Sequence, residues 1–189
     1  MERDPLSARR WAVCVYCGSK AAVPGPYLDL AAKVGAGIAA RGWGLVWGGS
    51  RVSMMGAVAQ AARLGGAPTT GVIPRDLMDR EFADPDADPL LVVETMRERK
   101  ALMDRHADAF LALPGGLGTC EELFEVWTAR YLRMHAKPVV LLDPDGHWAG
   151  LISWVHELRD KGFASDAALD ALVVTASVDE ALTACGPVC

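Results

Sequence analysis

Long apolar runs are missing from this sequence: no stretch reaches the roughly 18 residues that a membrane-spanning helix needs. An excess of positive charge is missing too. Nineteen lysines and arginines against 24 acids leave a formal net charge of −5, which argues against a nucleic-acid polymer as partner. A local basic patch could still hold a small anion. The opening residues, "MERDPLSARRW", mix charges and lack the apolar core of a secretory signal, so the expected compartment is the cytoplasm. Cofactor fingerprints are absent in context. No G-x-x-x-x-G-K-[ST] and no H-E-x-x-H occurs. "GAGIAA" at 35–40 can be forced onto G-x-G-x-x-G/A, but it falls inside a helical pattern instead of opening a helix after a strand. His106, His135, His147 and His156 show no metal-ligand spacing, so surface or supporting positions are expected for each.

The five cysteines form no disulfide framework, as suits a compartment where thiols stay reduced. Cys14 and Cys17 make a C-x-x-C, a spacing found in redox sites. They lie in "WAVCVYC", which reads as a strand, where an offset of three puts the side chains on opposite faces. Two small buried residues is the better reading. Cys185 and Cys189 stand in a short C-terminal tail with no role that spacing assigns.

What is present is a regular alternation. Runs at 11–17, 44–48, 69–74, 90–94, 108–114, 138–143 and 171–176 are apolar and rich in β-branched residues, as strands buried on both faces of a parallel sheet are. Between them, segments at 27–42, 54–66, 97–107, 120–134 and 147–162 repeat apolar residues at three- and four-residue spacing and often end at glycine, as helices do. The 97–107 segment is the most polar and carries the weakest helical pattern. Strand–helix alternation predicts right-handed crossovers and an α/β, Rossmann-like doubly wound sheet, mainly parallel, of about seven strands with helices on both faces. At 189 residues the chain suits one domain, 1–189, burying roughly 70% of its unfolded surface. The acidic, proline-bearing "REFADPDADP" (80–89) reads as a mobile surface loop near the strand ends, where such folds place ligands.

Two glycine-bearing turns fall where a strand gives way to a helix: "WGGSRVSMMG" (47–56) and "LPGGLGTCEE" (113–122). Gly115, Gly116 and Gly118 either serve a tight connection or cradle a phosphate at the following helix N-terminus. Each charge-assisted bond there contributes roughly 1.5–3 kcal/mol. Thr119 to Glu122 fit the S/T-x-x-E capping box, which makes Glu122 either a cap or a carboxylate with other work, since it shares a helical stripe with Val126 and Ala129. Arg99 and Lys100 in "MRERK" are either a solvated helix start or cations for an anionic ligand, and they follow the fourth strand, expected beside the first or the fifth.

The pair "ERK" (98–100) and "PGGLGTCEE" (114–122) resembles the motifs of the LONELY GUY (LOG) family, cytokinin-activating phosphoribohydrolases long mislabelled as lysine decarboxylases. "CVYCGS", "GGSRVSMMG", "GVIPRDLM", "ADAFLALPGGLGT", "KPVVLLD" and "KGF" have counterparts in the same order. The resemblance implies hydrolysis of the N-glycosidic bond of an adenosine 5′-monophosphate, with or without an N6-prenyl group, releasing free base and ribose 5-phosphate. It puts Arg99 and Glu122 on the catalytic positions and Lys100, Gly115, Gly116, Gly118 and Thr119 on substrate-binding ones, with Glu81, Glu121 and Thr128 also lining the pocket. It implies a homodimer or larger assembly with the site near the interface, and no metal or organic cofactor. The rival from another class is a non-catalytic carrier of a nucleotide or phosphorylated cofactor on the same fold; lysine decarboxylation is disfavoured because no pyridoxal-phosphate lysine signature stands in context. Three departures bear on preference. Ser50 and Ser53 replace family glycines, which costs on the order of 1 kcal/mol wherever the backbone needs positive φ, and narrows the pocket. Arg97 replaces a histidine.

Overall fold

The structure, a computed structural model, describes residues 10–80 and 82–187. In chain order the elements are β1 (Ala12–Tyr16), α1 (Gly25–Ala40), β2 (Gly44–Trp47), α2 (Ser53–Leu64), β3 (Thr69–Pro74), a 3-10 turn (Arg75–Leu77), β4 (Leu90–Val93), α3 (Met96–His106), β5 (Ala109–Ala112) and α4 (Leu117–Tyr131). They continue with β6 (Val139–Leu142), α5 (Ala149–Asp160), α6 (Asp166–Asp170), β7 (Val173–Thr175) and α7 (Val178–Ala184). Every expected strand and helix is present. The short α6 and α7 went unforeseen, because one or two turns carry too little periodicity to stand out.

The strands form one seven-stranded sheet in the order β4-β3-β2-β1-β5-β6-β7, with every neighbouring pair parallel. Side-chain alternation along β1 shows how the sheet builds two cores. Val13, Val15 and Cys17 join the cluster under α1, α2 and α7, whereas Ala12, Cys14 and Tyr16 join the one under α3, α4, α5 and α6. The C-x-x-C pair therefore faces opposite ways, as a strand requires. Burial pushes both thiols well above the usual cysteine range, so neither is a thiolate nucleophile. Continuous apolarity does not mean double burial everywhere: Val92 on β4 and Val173 and Val174 on β7 are exposed, since these two strands are the sheet's edges.

The segment at 82–89 is a surface loop tied to its neighbours at several points. Asp84 is buried and accepts from Arg63 Nη2 at 2.8 Å, while its own N–H donates to the Gly49 carbonyl at 2.8 Å. Bridges Ser50–Ala83 and Thr69–Asp88 tie both ends to the sheet. Breaking a buried ion pair of this kind by removing one partner costs about 3–5 kcal/mol, which is why the acids here stay put. Cys185 is likewise buried, with its carbonyl accepting from Trp11 Nε1 at 2.9 Å; Cys189 lies outside the described residues. Among the described residues, no helix is long and apolar enough to cross a membrane.

α1 and α2 lie against each other, and Gly35 is where they come closest. A Cβ built there would collide with the Val58 carbonyl oxygen and come within 3.0 Å of the Ala62 nitrogen. Gly35→Ala is expected to destabilise the fold by about 1–3 kcal/mol, as overpacking does. Denaturant unfolding checks this; an unchanged midpoint would show that the helices separate at no cost.

Candidate active site

The strand order reverses direction between β1 and β5. From β1 the chain leaves to one face through α1, and from β5 it leaves to the other through α4. A crevice must open between the two departing connections, at the carboxyl ends of the strands. A cavity of about 590 Å³ lies there, walled by Cys17 to Lys20 after β1 and Pro114 to Thr119 after β5. Met54 and Met55 of α2, Met96 and Arg99 of α3, Tyr27 of α1, Glu121, Glu122 and His147 complete it. Its size suits a nucleotide-sized ligand.

Four helices begin at this cavity, and three of them, α1, α2 and α4, start bare. These three have no side-chain bond at the N-cap and no acid in the first turn. α3, α6 and α7 begin instead with Thr95, Ser165 and Ser177 accepting from the backbone, and each has an acid in its first turn. An uncapped N-terminus leaves unpaired N–H groups and about half a positive charge to an incoming anion. These helix ends present partial positive charge to the cavity although the chain is net negative.

α4 corrects the capping-box expectation. Its N-cap is Gly116, so Thr119 lies in the first turn rather than opening the helix, and Glu122 lies beyond the reach of a cap. Thr119 is buried and stands where a Cβ on Gly115 would collide with its hydroxyl, which is why residue 115 is glycine. Gly116 and Gly118 differ: neither has positive φ, and a Cβ on either meets nothing. Nothing within the chain demands glycine at these two positions. Open space over bare N–H groups is what an approaching phosphate needs.

Arg99 reaches the cavity by a route the sequence did not reveal. β4 sits at the sheet edge, three strands from β1, not beside β1 or β5 as expected. α3 crosses back over the sheet, and the Arg99 guanidinium donates from Nε to the Val72 carbonyl (3.1 Å) and from Nη2 to the Gly48 carbonyl (2.8 Å), with Nη1 3.8 Å from Met96 Sδ. A Cβ at Gly48 would collide with Nη2. The start of the 47–56 turn is therefore the socket of Arg99, while Met54 and Met55 at its other end line the cavity. Glu98 explains the rest of "ERK": its carboxylate accepts from Thr95 N at 3.1 Å while Thr95 Oγ1 accepts from Glu98 N at 3.1 Å, a capping box that starts α3.

The serines that replace glycines resolve separately. Ser53 has φ 55, a strained conformation costing roughly 1–2 kcal/mol, partly offset where its hydroxyl donates to the Lys20 carbonyl at 2.8 Å. Ser50 is buried and carries no such strain, because the neighbouring Gly49 takes the positive φ of 76. Neither serine lines the cavity, so the expected narrowing does not occur.

Arg99, Gly115, Gly116, Gly118, Thr119, Glu121 and Glu122 all stand on this one cavity. Lys100 lines a neighbouring cavity of about 440 Å³ with Tyr16, Arg97, Glu125 and His135, and Glu122 borders both. Thr128 is exposed and lines neither; Glu81 lies outside the described residues. Burial foremost, with the Glu122 charge contributing, pushes the Tyr16 phenol above its ordinary range, so it stays protonated near that carboxylate. Sequence reasoning missed His147. Its Nε2 lies 3.2 Å from the Gly115 nitrogen, whose N–H donates to it in one tautomer, and 3.0 Å from the Gly115 carbonyl, to which it donates in the other. Only its place just after β6 hinted at this, and a place counts only once the strand order is known.

A sequence profile for a family described as possible lysine decarboxylase matches residues 55–185. A protein of Mycobacterium marinum named cytokinin riboside 5′-monophosphate phosphoribohydrolase is 55% identical over 178 residues, which are 94% of this chain and 95% of that protein. The protein of the same name from Mycobacterium tuberculosis is 54% identical over 177 residues, 94% of each. Cytokinin riboside 5′-monophosphate phosphoribohydrolase LOG3 of Arabidopsis thaliana is 40% identical over 168 residues, 89% of this chain and 78% of that one. Among solved structures, the molybdenum cofactor binding protein of Rippkaea orientalis matches with a TM-score of 0.70 at 22% identity, covering 93% of this chain and 95% of the other. The molybdenum cofactor carrier protein of Chlamydomonas reinhardtii also gives 0.70, at 24% identity, covering 93% and 96%. At that identity the likeness shows the shared fold alone.

Gly118→Ala separates a ligand role from a structural one. Alanine in the first turn of α4 is expected to leave stability unchanged or raise it by up to about 1 kcal/mol, while weakening inorganic phosphate binding about tenfold. Thermal unfolding and calorimetric titration of the same sample read the two effects. Lower stability with unaltered phosphate binding would mark Gly118 as a packing residue.

Proposed function

This chain belongs to the LOG family of cytokinin riboside 5′-monophosphate phosphoribohydrolases, and from that premise we propose how its own residues perform the reaction. The enzyme hydrolyses the N-glycosidic bond of an adenosine 5′-monophosphate, plain or N6-prenylated, to free base and ribose 5-phosphate. The observation that carries the assignment of roles is the meeting of a bare helix N-terminus, a buried arginine and a carboxylate on one cavity at the sheet's switch point.

The phosphate rests on the N–H groups of Leu117, Gly118 and Thr119, which fixes the ribose for attack. Cleavage breaks the bond between the anomeric carbon and the base nitrogen while the oxygen of water bonds to that carbon; the leaving nitrogen takes a proton from solvent, matched by the one that the water gives up. Positive charge builds on the sugar as the bond lengthens. Glu122 faces that charge and orients the water, accepting its proton. Arg99, held by the Gly48 and Val72 carbonyls, supplies a fixed cation and donor on the same wall. Met54, Met55 and Met96 offer an apolar, adaptable surface to the base and its substituent. The family description as possible lysine decarboxylase fits poorly with Lys100. Bonds to Glu121 first and Glu125 second push its ammonium above the usual lysine range, the reverse of what a Schiff-base lysine needs.

Association as a homodimer is part of the same proposal, with the chain acting as one cytoplasmic domain. Its support is the exposed apolar group at the end of α4, where Leu132 is 58% and Met134 76% accessible, next to the exposed Thr128. The free thiols of Cys14, Cys17, Cys120 and Cys185 suit a reducing compartment. Sedimentation should give twice the chain mass, and Met134→Glu should shift it toward monomer; a monomeric parent protein would refute the arrangement.

Glu122→Gln is expected to lower the rate of base release at least 10²-fold, the scale of general acid–base catalysis, with the melting temperature within a few degrees of the parent. Chromatography of free base from AMP and from N6-isopentenyl-AMP measures it. Tight binding of either nucleotide with no base released by the parent protein would favour a carrier.

A further inference from the structure

Lys100 follows Arg99 in sequence, yet the two side chains serve different cavities. Arg99 lines the larger one and Lys100 the smaller. The Lys100 ammonium donates to Glu121 Oε1 and Glu125 Oε2, carboxylates one helical turn apart on α4. Lys100 itself is only 16% accessible, whereas both carboxylates are half-exposed. Glu121 also borders the larger cavity, two residues beyond Thr119. An uncompensated carboxylate at that point opposes a phosphate on the α4 N-terminus, because like charges a few ångströms apart repel in a partly desolvated site.

We infer that Lys100 supports phosphate binding through Glu121 and Glu125 and makes no contact with the substrate. It is a positioning residue: it draws the two carboxylates toward α3 and cancels their charge beside the cradle. The same contact joins the neighbours of the two proposed catalytic residues, since Lys100 adjoins Arg99 on α3 and Glu121 adjoins Glu122 on α4, so it also helps set their spacing. This rests on the reading of the cavity as a phosphate site. It differs from what family resemblance alone assigns, which is a lysine on the substrate.

The test is a set of variants titrated with ribose 5-phosphate, which needs no turnover. Lys100→Met should weaken binding about tenfold in the parent protein, and Lys100→Arg, which can still bridge both carboxylates, should stay within about threefold of it. In a Glu121→Gln, Glu125→Gln background, adding Lys100→Met should change binding less than about twofold, because the charge that Lys100 answers is gone. That last comparison stands even if the Lys100→Met single variant folds poorly. A loss of fivefold or more between the double and the triple variant would overturn the inference and put Lys100 on the ligand. A parent protein that binds neither ribose 5-phosphate nor inorganic phosphate overturns this inference and the phosphate reading of the cavity together. Firm ribose 5-phosphate binding without base release would overturn the hydrolase reading alone.

Discussion

Two backbone carbonyls decide where this site is. Gly48, just beyond β2, and Val72, within β3, accept from the Arg99 guanidinium and hold it under the cavity. Arg99 comes from the helix after an edge strand; the β4-to-β5 crossover carries it inward over the sheet, and the two carbonyls fix its guanidinium there. The anchor depends in turn on glycine at 48, since any side chain there would occupy the guanidinium's place. Carbonyl oxygens are well matched to a buried cation, because they accept its N–H bonds and offset part of the cost of its burial.

Around that fixed cation the protein arranges a field that its net charge of −5 conceals. α1, α2 and α4 direct uncapped, acid-free N-termini at the cavity, whereas α3, α6 and α7 begin on capping side chains. Two glutamates, Glu121 and Glu122, border the cradle, and Glu121 accepts from Lys100.

Much of the fold was legible because its signals are local. Apolar runs and three-to-four spacing follow from the two backbone periodicities, so all seven strands and the five longer helices could be read along the chain. What was misread depended on neighbours distant in sequence. The acids at 82–89 look like a solvated loop until Arg63 and the Gly49 carbonyl are seen beside Asp84. His147 reads as an ordinary surface histidine until β6 is placed next to β5 and its ring meets Gly115. Ser50 and Ser53 look alike in sequence, and only the backbone shows that the strain falls on Ser53.

The two T-x-x-E stretches divide the matter most clearly. Thr95 to Glu98 and Thr119 to Glu122 are the same pattern, and the sequence by itself determined that each lies at a strand-to-helix junction of a parallel α/β sheet. At 95–98 the pattern is a capping box. At 119–122 the helix has already begun at Leu117, so the threonine packs against Gly115 and the glutamate turns to the cavity. Tertiary structure decided that difference, because where a helix begins depends on how the preceding strand delivers the chain, and strand order comes from non-local pairing that no local pattern encodes.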